Sequence, residues 1–208
     1  MIAVIDYGAD NIQSVRKALE HLGCDVTVTS DSGEILKADG AILPGVGSFG
    51  DTMDSMNSRG ISDAVTEYTK TGKPFLGICL GLQLLFPESE ESPGKKGLCL
   101  ADGNIRKIPD LNGQLKIPHI GWNNLDIKNR QGIFKGIKGS PYVYFVHSYY
   151  LHATDRSIVT SQTEYGTSID ASIQKGNIYA TQFHPEKSGE AGLKMLKNFA
   201  DIVSGVTD

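Results

Sequence analysis

Two short segments carry side chains able to do covalent chemistry together. In Gly77-Ile78-Cys79-Leu80-Gly81 a cysteine stands where a nucleophile elbow places its attacking residue, and the glycines relieve the crowding of a sharp strand-to-helix turn. Far along the chain, His184-Pro185-Glu186 sets a carboxylate two residues after an imidazole, so that in extended backbone both point the same way. Pro185 restricts the backbone between them. A thiolate attacks a carbonyl, an imidazole returns a proton to the leaving group, and a carboxylate fixes the imidazole tautomer; these are a nucleophile, a base and an orienter. Each residue also has a plainer reading: Cys79 as a small buried apolar residue, His184 as the cap of a strand, and Glu186 as a favourable acid at the start of the last helix. An oxyanion formed here needs donors. The Leu80 amide and an amide of Gly45-Val46-Gly47 are the natural pair.

Bringing these segments together requires a sheet. Residues 2–6 form an apolar run of the kind buried on both faces. Ile12, Val15, Ala18, Leu19 and Leu22 then recur at helical spacing, with Asp10 or Asn11 as N-cap and Gly23 as stop. A strand over 24–29, a short helix over 34–37 and a strand over 40–43 ending at Pro44 follow. This alternation predicts an α/β fold with a mixed, mostly parallel central sheet and helices on both faces, in which ligands bind beyond the carboxyl ends of the strands. Residues 44–50, PGVGSFG, leave that end, either as a ligand-facing loop or as a plain Gly-rich turn; they lack the Lys-Ser/Thr of a P-loop. A helix over 51–70 leads to 74–86, a strand running into a helix whose first amides and dipole favour a thiolate at Cys79. Residues 87–96 read as a surface loop with Glu88, Glu90 and Glu91 solvated. Strands over 103–108, 115–120, 142–149, 158–162, 168–173 and 177–183 predict an antiparallel or mixed extension of the sheet. A helix over 189–203, with Leu193, Leu196, Phe199, Ala200 and Val203 on one face, closes a single domain spanning 1–208.

Composition narrows the class. With 39% hydrophobic and 21% charged residues and a net charge of -4, the 208-residue chain has no basic footprint for nucleic acid. Three cysteines without CxxC or Cys/His spacing predict reduced thiols, no metal site and a cytoplasmic setting. The opening MIAVIDYG has strand character, not that of a signal peptide or anchor, and no run reaches the length of a membrane span.

Gly77-x-Cys79-x-Gly81-x-Gln83 together with His184-Pro185-Glu186 resembles the signature of the class I (triad) glutamine amidotransferases. Asp6-Tyr7-Gly8-x-x-Asn11, Pro44-Gly45-Val46-Gly47-x-Phe49, Pro118-His119-x-Gly121-Trp122-Asn123, Phe145-Val146-His147-Ser148-Tyr149 and His184-Pro185-Glu186-Lys187-Ser188 extend the likeness over almost the whole chain. Within the class it is most similar to glutaminase subunits that serve histidine biosynthesis. The resemblance implies hydrolysis of L-glutamine to glutamate and ammonia through a glutamyl thioester, without a cofactor, by a Cys79-His184-Glu186 triad. It implies oxyanion donors at Val46, Gly47 and Leu80, and glutamine binding by Gly45, Gln83, His147, Ser148 and Tyr149. Asn11, His119, Trp122, Asn123, Tyr144 and Lys187 would face a partner, a separate (β/α)8 synthase subunit that forms a heterodimer and receives the ammonia. In such enzymes the oxyanion loop rearranges when the partner binds its substrate, and Val46-Gly47 is the peptide placed to flip. Leu82, where Met is common, conserves volume. Two other readings keep the fold: a glutaminase for another synthase, such as that of pyridoxal phosphate or anthranilate synthesis, and a catalytically silent regulatory module.

Overall fold

The computed structural model describes residues 1–9 and 11–206; Asp10, one of the two N-cap candidates, lies outside them. Apolar runs become strands covered on both sides, while the alternating run VTVT becomes a half-buried strand at the sheet edge. β1 (Ile2–Ile5), β2 (Val26–Thr29), β3 (Gly40–Gly45) and β4 (Phe75–Cys79) pair in parallel in the order β2-β1-β3-β4. The next neighbour of β4 comes from far along the chain: β12 (Ile178–Thr181), also parallel, with Thr181 opposite Ile78. That single pairing brings the end of β12, and hence His184, beside the end of β4 and Cys79.

Beyond β12 the pairing turns antiparallel. β11 (Ser168–Lys175), β10 (Val159–Glu164) and the two-residue β7 (Asp126–Ile127) complete one path. β5 (Gly103–Lys107) and β9 (Tyr149–Ala153) branch from β11. β6 (His119–Asn124) and β8 (Tyr142–His147) form a separate two-stranded sheet, which the sequence pattern had assigned to the main one.

Helices cover both faces. Ala3, Ile5, Ala41 and Leu43 point to the side occupied by α2 (Ser32–Lys37), α3 (Phe49–Ser58) and α4 (Ile61–Lys70), where Ile35, Met53, Met56, Val65 and Tyr68 are buried. Ile2, Val4 and Ile42 point to the side of α1 (Ile12–His21) and α6 (Gly189–Ser204), against Val15, Leu19, Leu196 and Phe199. Each such Val, Leu, Ile, Met or Phe side chain, when fully buried, contributes about 1.5–3 kcal/mol.

Several boundaries differ from expectation. The helix expected over 51–70 is two helices, because Gly60 adopts φ 68° and ends the first. The elbow helix α5 (Leu80–Gln83) is one turn long: Pro87 has no N–H to give Gln83, and the Leu84 carbonyl accepts from Leu98 N instead. The strand expected over 115–120 begins only at His119, since Pro118 cannot donate to a ladder. The run over 142–149 breaks at Ser148 into β8 and β9.

Candidate active site

Close packing makes the elbow. Cys79 sits at φ 55°, ψ -106°, a conformation that costs a non-glycine residue about 1–3 kcal/mol and that its surroundings must impose. The imposition comes from contacts that only glycine permits. A Cβ on Gly81 would lie 1.9 Å from the Leu43 carbonyl oxygen, and one on Gly77 2.6 Å from the Gly81 oxygen. Gly45 stands opposite Cys79 in the β3–β4 register, and a Cβ there would lie 2.6 Å from Tyr7 Oη and 2.9 Å from Leu80 Cβ.

His184 follows β12 and is fully buried. Its Nδ1 donates to Glu186 Oε1 at 2.7 Å, which leaves Nε2 for the sulfur. Burial alone would lower the His184 pKa, but the nearby Cys79 sulfur and the hydrogen-bonded Glu186 carboxylate outweigh burial and push it up to about 10. A cationic imidazole beside a cysteine sulfur is the arrangement that pairs a nucleophile with a ready proton donor. The expected help from a helix dipole is not supplied by a single turn.

Asn11 does not cap α1 with its side chain. Its Nδ2 donates to Glu186 Oε1 at 2.6 Å, and the residue is buried. It therefore holds the orienting carboxylate, a correction to its expected place at a partner surface. His119 is corrected in the same way: it is buried, stacked between Phe145 and Tyr165 with centroids 4.7 and 3.9 Å away.

Cys79 opens into a cavity of about 290 Å³ lined by Val46, Gly47, Leu80, Gln83, Glu91, Pro118, His147, Ser148 and Tyr149. That is the small end of ligand pockets and suits an amino acid. A cleft of about 320 Å³ at Met1, Leu22, Cys24, Lys197 and Asp201 has a thiol but no histidine among its described lining residues.

Polar groups in the walls have fixed directions. The Tyr149 carbonyl can only accept, and it takes Gln83 Nε2 at 2.9 Å and His147 Nδ1 at 2.9 Å. His147 Nε2 then accepts from His119 Nδ1 at 3.0 Å, and His119 Nε2 faces Asn123 Nδ2 at 3.4 Å. Both rings are thereby neutral donor–acceptors. Burial lowers their pKa values, to about 3 for His147 and about 4 for His119. His147 thus supports the pocket wall instead of offering a ring nitrogen to substrate. Gln83 gives its second N–H to Gln182 Oε1 at 3.1 Å, so only its Oε1 remains to face a ligand.

The loop beside the elbow also departs from expectation. Gly45 packs beneath the pocket and does not line it. The Tyr7 hydroxyl is buried beneath this loop without a hydrogen-bond partner among the described residues, and burial raises its pKa. Leu80, first in α5, has an N–H with no intrahelical acceptor. Glu91, assigned to solvent by its acidic neighbours, instead lines the cavity, and its Oε2 accepts from Phe49 N at 2.7 Å at the start of α3. Ser92 Oγ accepts from Gly50 N at 3.0 Å, fixing the same loop.

Trp122 and Tyr144 stand across from each other in the β6–β8 sheet, edge to face at 6.2 Å, with Trp122 56% exposed. Ile120 and Tyr142 extend this apolar face, and Lys187 is exposed nearby in sequence to the triad. Asn123 is half-buried, donating to the Glu164 carbonyl at 3.0 Å.

A strained cysteine elbow at the carboxyl edge of a parallel sheet, backed by imidazole and carboxylate and opening on an amino-acid-sized cavity, defines a cysteine-dependent amide hydrolase. The sequence model for "Glutamine amidotransferase class-I" matches residues 3–203, and the chain belongs to that family. It is 48% identical over 202 residues to "Imidazole glycerol phosphate synthase subunit HisH" of Moorella thermoacetica, covering 97% of this chain and 95% of that one. Identity to the subunit of the same name from Methanosarcina barkeri is 47% over 203 residues, covering 97% and 98%. Among solved structures, a glutamine amidotransferase superposes with TM-score 0.76 at 18% identity, covering 98% of each chain. One from Thermotoga maritima gives 0.70 at 14%, covering 97% of each.

Proposed function

We propose that the chain is the glutaminase subunit of imidazole glycerol phosphate synthase, releasing ammonia from L-glutamine for a synthase subunit in histidine biosynthesis. The observation that carries the reading is the convergence of the Cys79, His184 and Glu186 arrangement on a small cavity whose free side-chain acceptors suit an α-ammonium group. Gln83 Oε1 and the Glu91 carboxylate receive that ammonium, which sets the side-chain amide of glutamine at the sulfur. The Cys79 thiolate attacks the amide carbon, and the Leu80 and Gly47 amides hold the oxyanion. The His184 imidazolium gives its proton to the departing nitrogen, ammonia leaves, and a glutamyl thioester remains. Water, deprotonated by His184, then cleaves the thioester to glutamate and regenerates the thiol.

The partner is a separate (β/α)8 synthase chain, docked as a heterodimer on the face bearing Ile120, Trp122 and Tyr142. Hydrogen bonds of the β8 backbone tie that face to the segment bearing the triad histidine. The Tyr144 carbonyl accepts from His184 N at 2.9 Å, and Tyr144 N donates to Ser188 Oγ at 3.0 Å. A partner that shifts β8 therefore acts directly on the backbone of His184. Free thiols and the absence, among the described residues, of a helix able to cross a membrane fit work in the cytoplasm.

The test is Cys79→Ala in the reconstituted complex. Glutamine-dependent synthesis is lost while added ammonium still supports it; equal loss of both activities refutes the ammonia-donor role.

A further inference from the structure

Among the described residues, Gln182 is a fully buried carboxamide that touches the candidate nucleophile. It lies in the bend that follows β12, two residues before His184. Its Oε1 accepts from Gln83 Nε2 at 3.1 Å, and its Nε2 lies 3.7 Å from Cys79 Sγ, within range of an N–H···S hydrogen bond.

The orientation of this amide follows from its neighbours. The Tyr149 carbonyl, an acceptor only, fixes which end of Gln83 is nitrogen. That nitrogen requires an oxygen from Gln182, and the Gln182 nitrogen is left on the sulfur side. Reversing the Gln182 amide would set two N–H groups against each other in a buried site, at the cost of an unmade hydrogen bond.

A neutral thiol needs no donor, whereas a thiolate withdrawn from water needs every one it can find. We propose that Gln182 holds the Cys79 sulfur as an anion by donating N–H to it, and that through Oε1 it aligns Gln83 for substrate. The inference rests on Cys79 being the nucleophile of the glutaminase. It assigns the sulfur a second support besides His184, in place of the dipole that the one-turn α5 does not provide.

The experiment measures alkylation of Cys79 by iodoacetamide against pH in the parent complex and in Gln182→Met, which has similar length and no N–H. Cys24 and Cys99 are replaced by Ser in both. The half-maximal pH moves upward by about one unit in the variant, and alkylation at pH 7 falls about tenfold, as expected for loss of one hydrogen bond to a charged group. In turnover the variant lowers kcat through the sulfur and raises KM through Gln83. Gln83→Leu keeps the sulfur donor and raises KM with little change in the alkylation profile. A Gln182→Met profile that superimposes on the parent, in a protein with parental thermal unfolding, overturns the inference. Gln182→Asn, polar but too short to reach, carries the same expectation and decides the matter if the Met variant does not fold. Labelling by the glutamine analogue diazo-oxo-norleucine separates the two levels. A parent that labels while the Gln182→Met profile is unchanged loses only this inference, whereas a parent that fails to label loses the glutaminase reading.

Discussion

Gly81→Ala adds one methyl group where the structure has no room. The new Cβ would lie 1.9 Å from the Leu43 carbonyl oxygen, and the next nearest atom, 3.1 Å away, is the Leu43 carbonyl carbon, so the obstruction is β3 backbone and cannot rotate aside. Relief requires the elbow and β3 to part by about 1 Å, roughly the misplacement that costs 100-fold in a positioned reaction. The same opening separates packed layers around Leu43 and Leu80, at about 3 kcal/mol, the upper end for overpacking. For a chain of this size the Tm then falls by about 6–12 °C. Gly60→Ala is the control. Its φ of 68° is unfavourable for alanine, but no heavy atom lies within 4 Å of the added Cβ, so a cost of about 1–2 kcal/mol with unchanged turnover is expected. Urea unfolding and glutamine hydrolysis by the complex report both quantities. A Gly81→Ala protein within about 1 kcal/mol and twofold of the parent would refute the claim that glycine at the elbow is required by backbone contact.

Asn11→Ala removes one of the donors to Glu186, a charge-assisted bond of about 1.5–3 kcal/mol, so kcat/KM falls about tenfold or more and the Tm falls by about 3–12 °C, read by steady-state kinetics and thermal unfolding. His147 is held neutral by burial, its pKa lowered to about 3, whereas the unfolded chain binds that proton near pH 6.5. Its contribution to stability is complete above pH 6.5 and is lost as pH falls toward 3, by about 1.4 kcal/mol per unit, so its ring resonances stay at their neutral positions through pH 5 in an NMR titration while urea midpoints decline. Trp122→Ala leaves unfolding unchanged and weakens binding of the synthase subunit by about tenfold or more, measured by titration calorimetry, because an exposed tryptophan at the centre of an apolar face is the kind of side chain that anchors interfaces.

Some of this site is local and can be read along the chain. Gly77, Cys79 and Gly81 define the elbow because a sharp turn crowds any larger neighbour. His184 and Glu186 lie two apart as expected, but Pro185–Lys187 is a 3-10 turn and not extended backbone, so it is the turn that brings the carboxylate back to within 2.7 Å of the imidazole. The strands 2–5 and 75–79 were legible as apolar runs because both faces are covered. Gln182 was also within reach: a polar residue in a buried aromatic run, two before His184.

What the sequence could not determine is where long side chains turn when several partners compete. Asn11 has the residue type of an N-cap, yet its amide goes to Glu186, 175 positions away, because a buried carboxylate binds a donor more strongly than an exposed helix end does. Glu91 sits among acids and reads as solvated until the loop folds onto the Phe49 amide. His119 and His147 gain their tautomers only from the β6–β8 register that sets them side by side. Composition and spacing determined the elbow, the base and its orienter. Tertiary packing alone decided which buried donors reach the sulfur and the carboxylate, because those bonds join segments that only the closed sheet brings together.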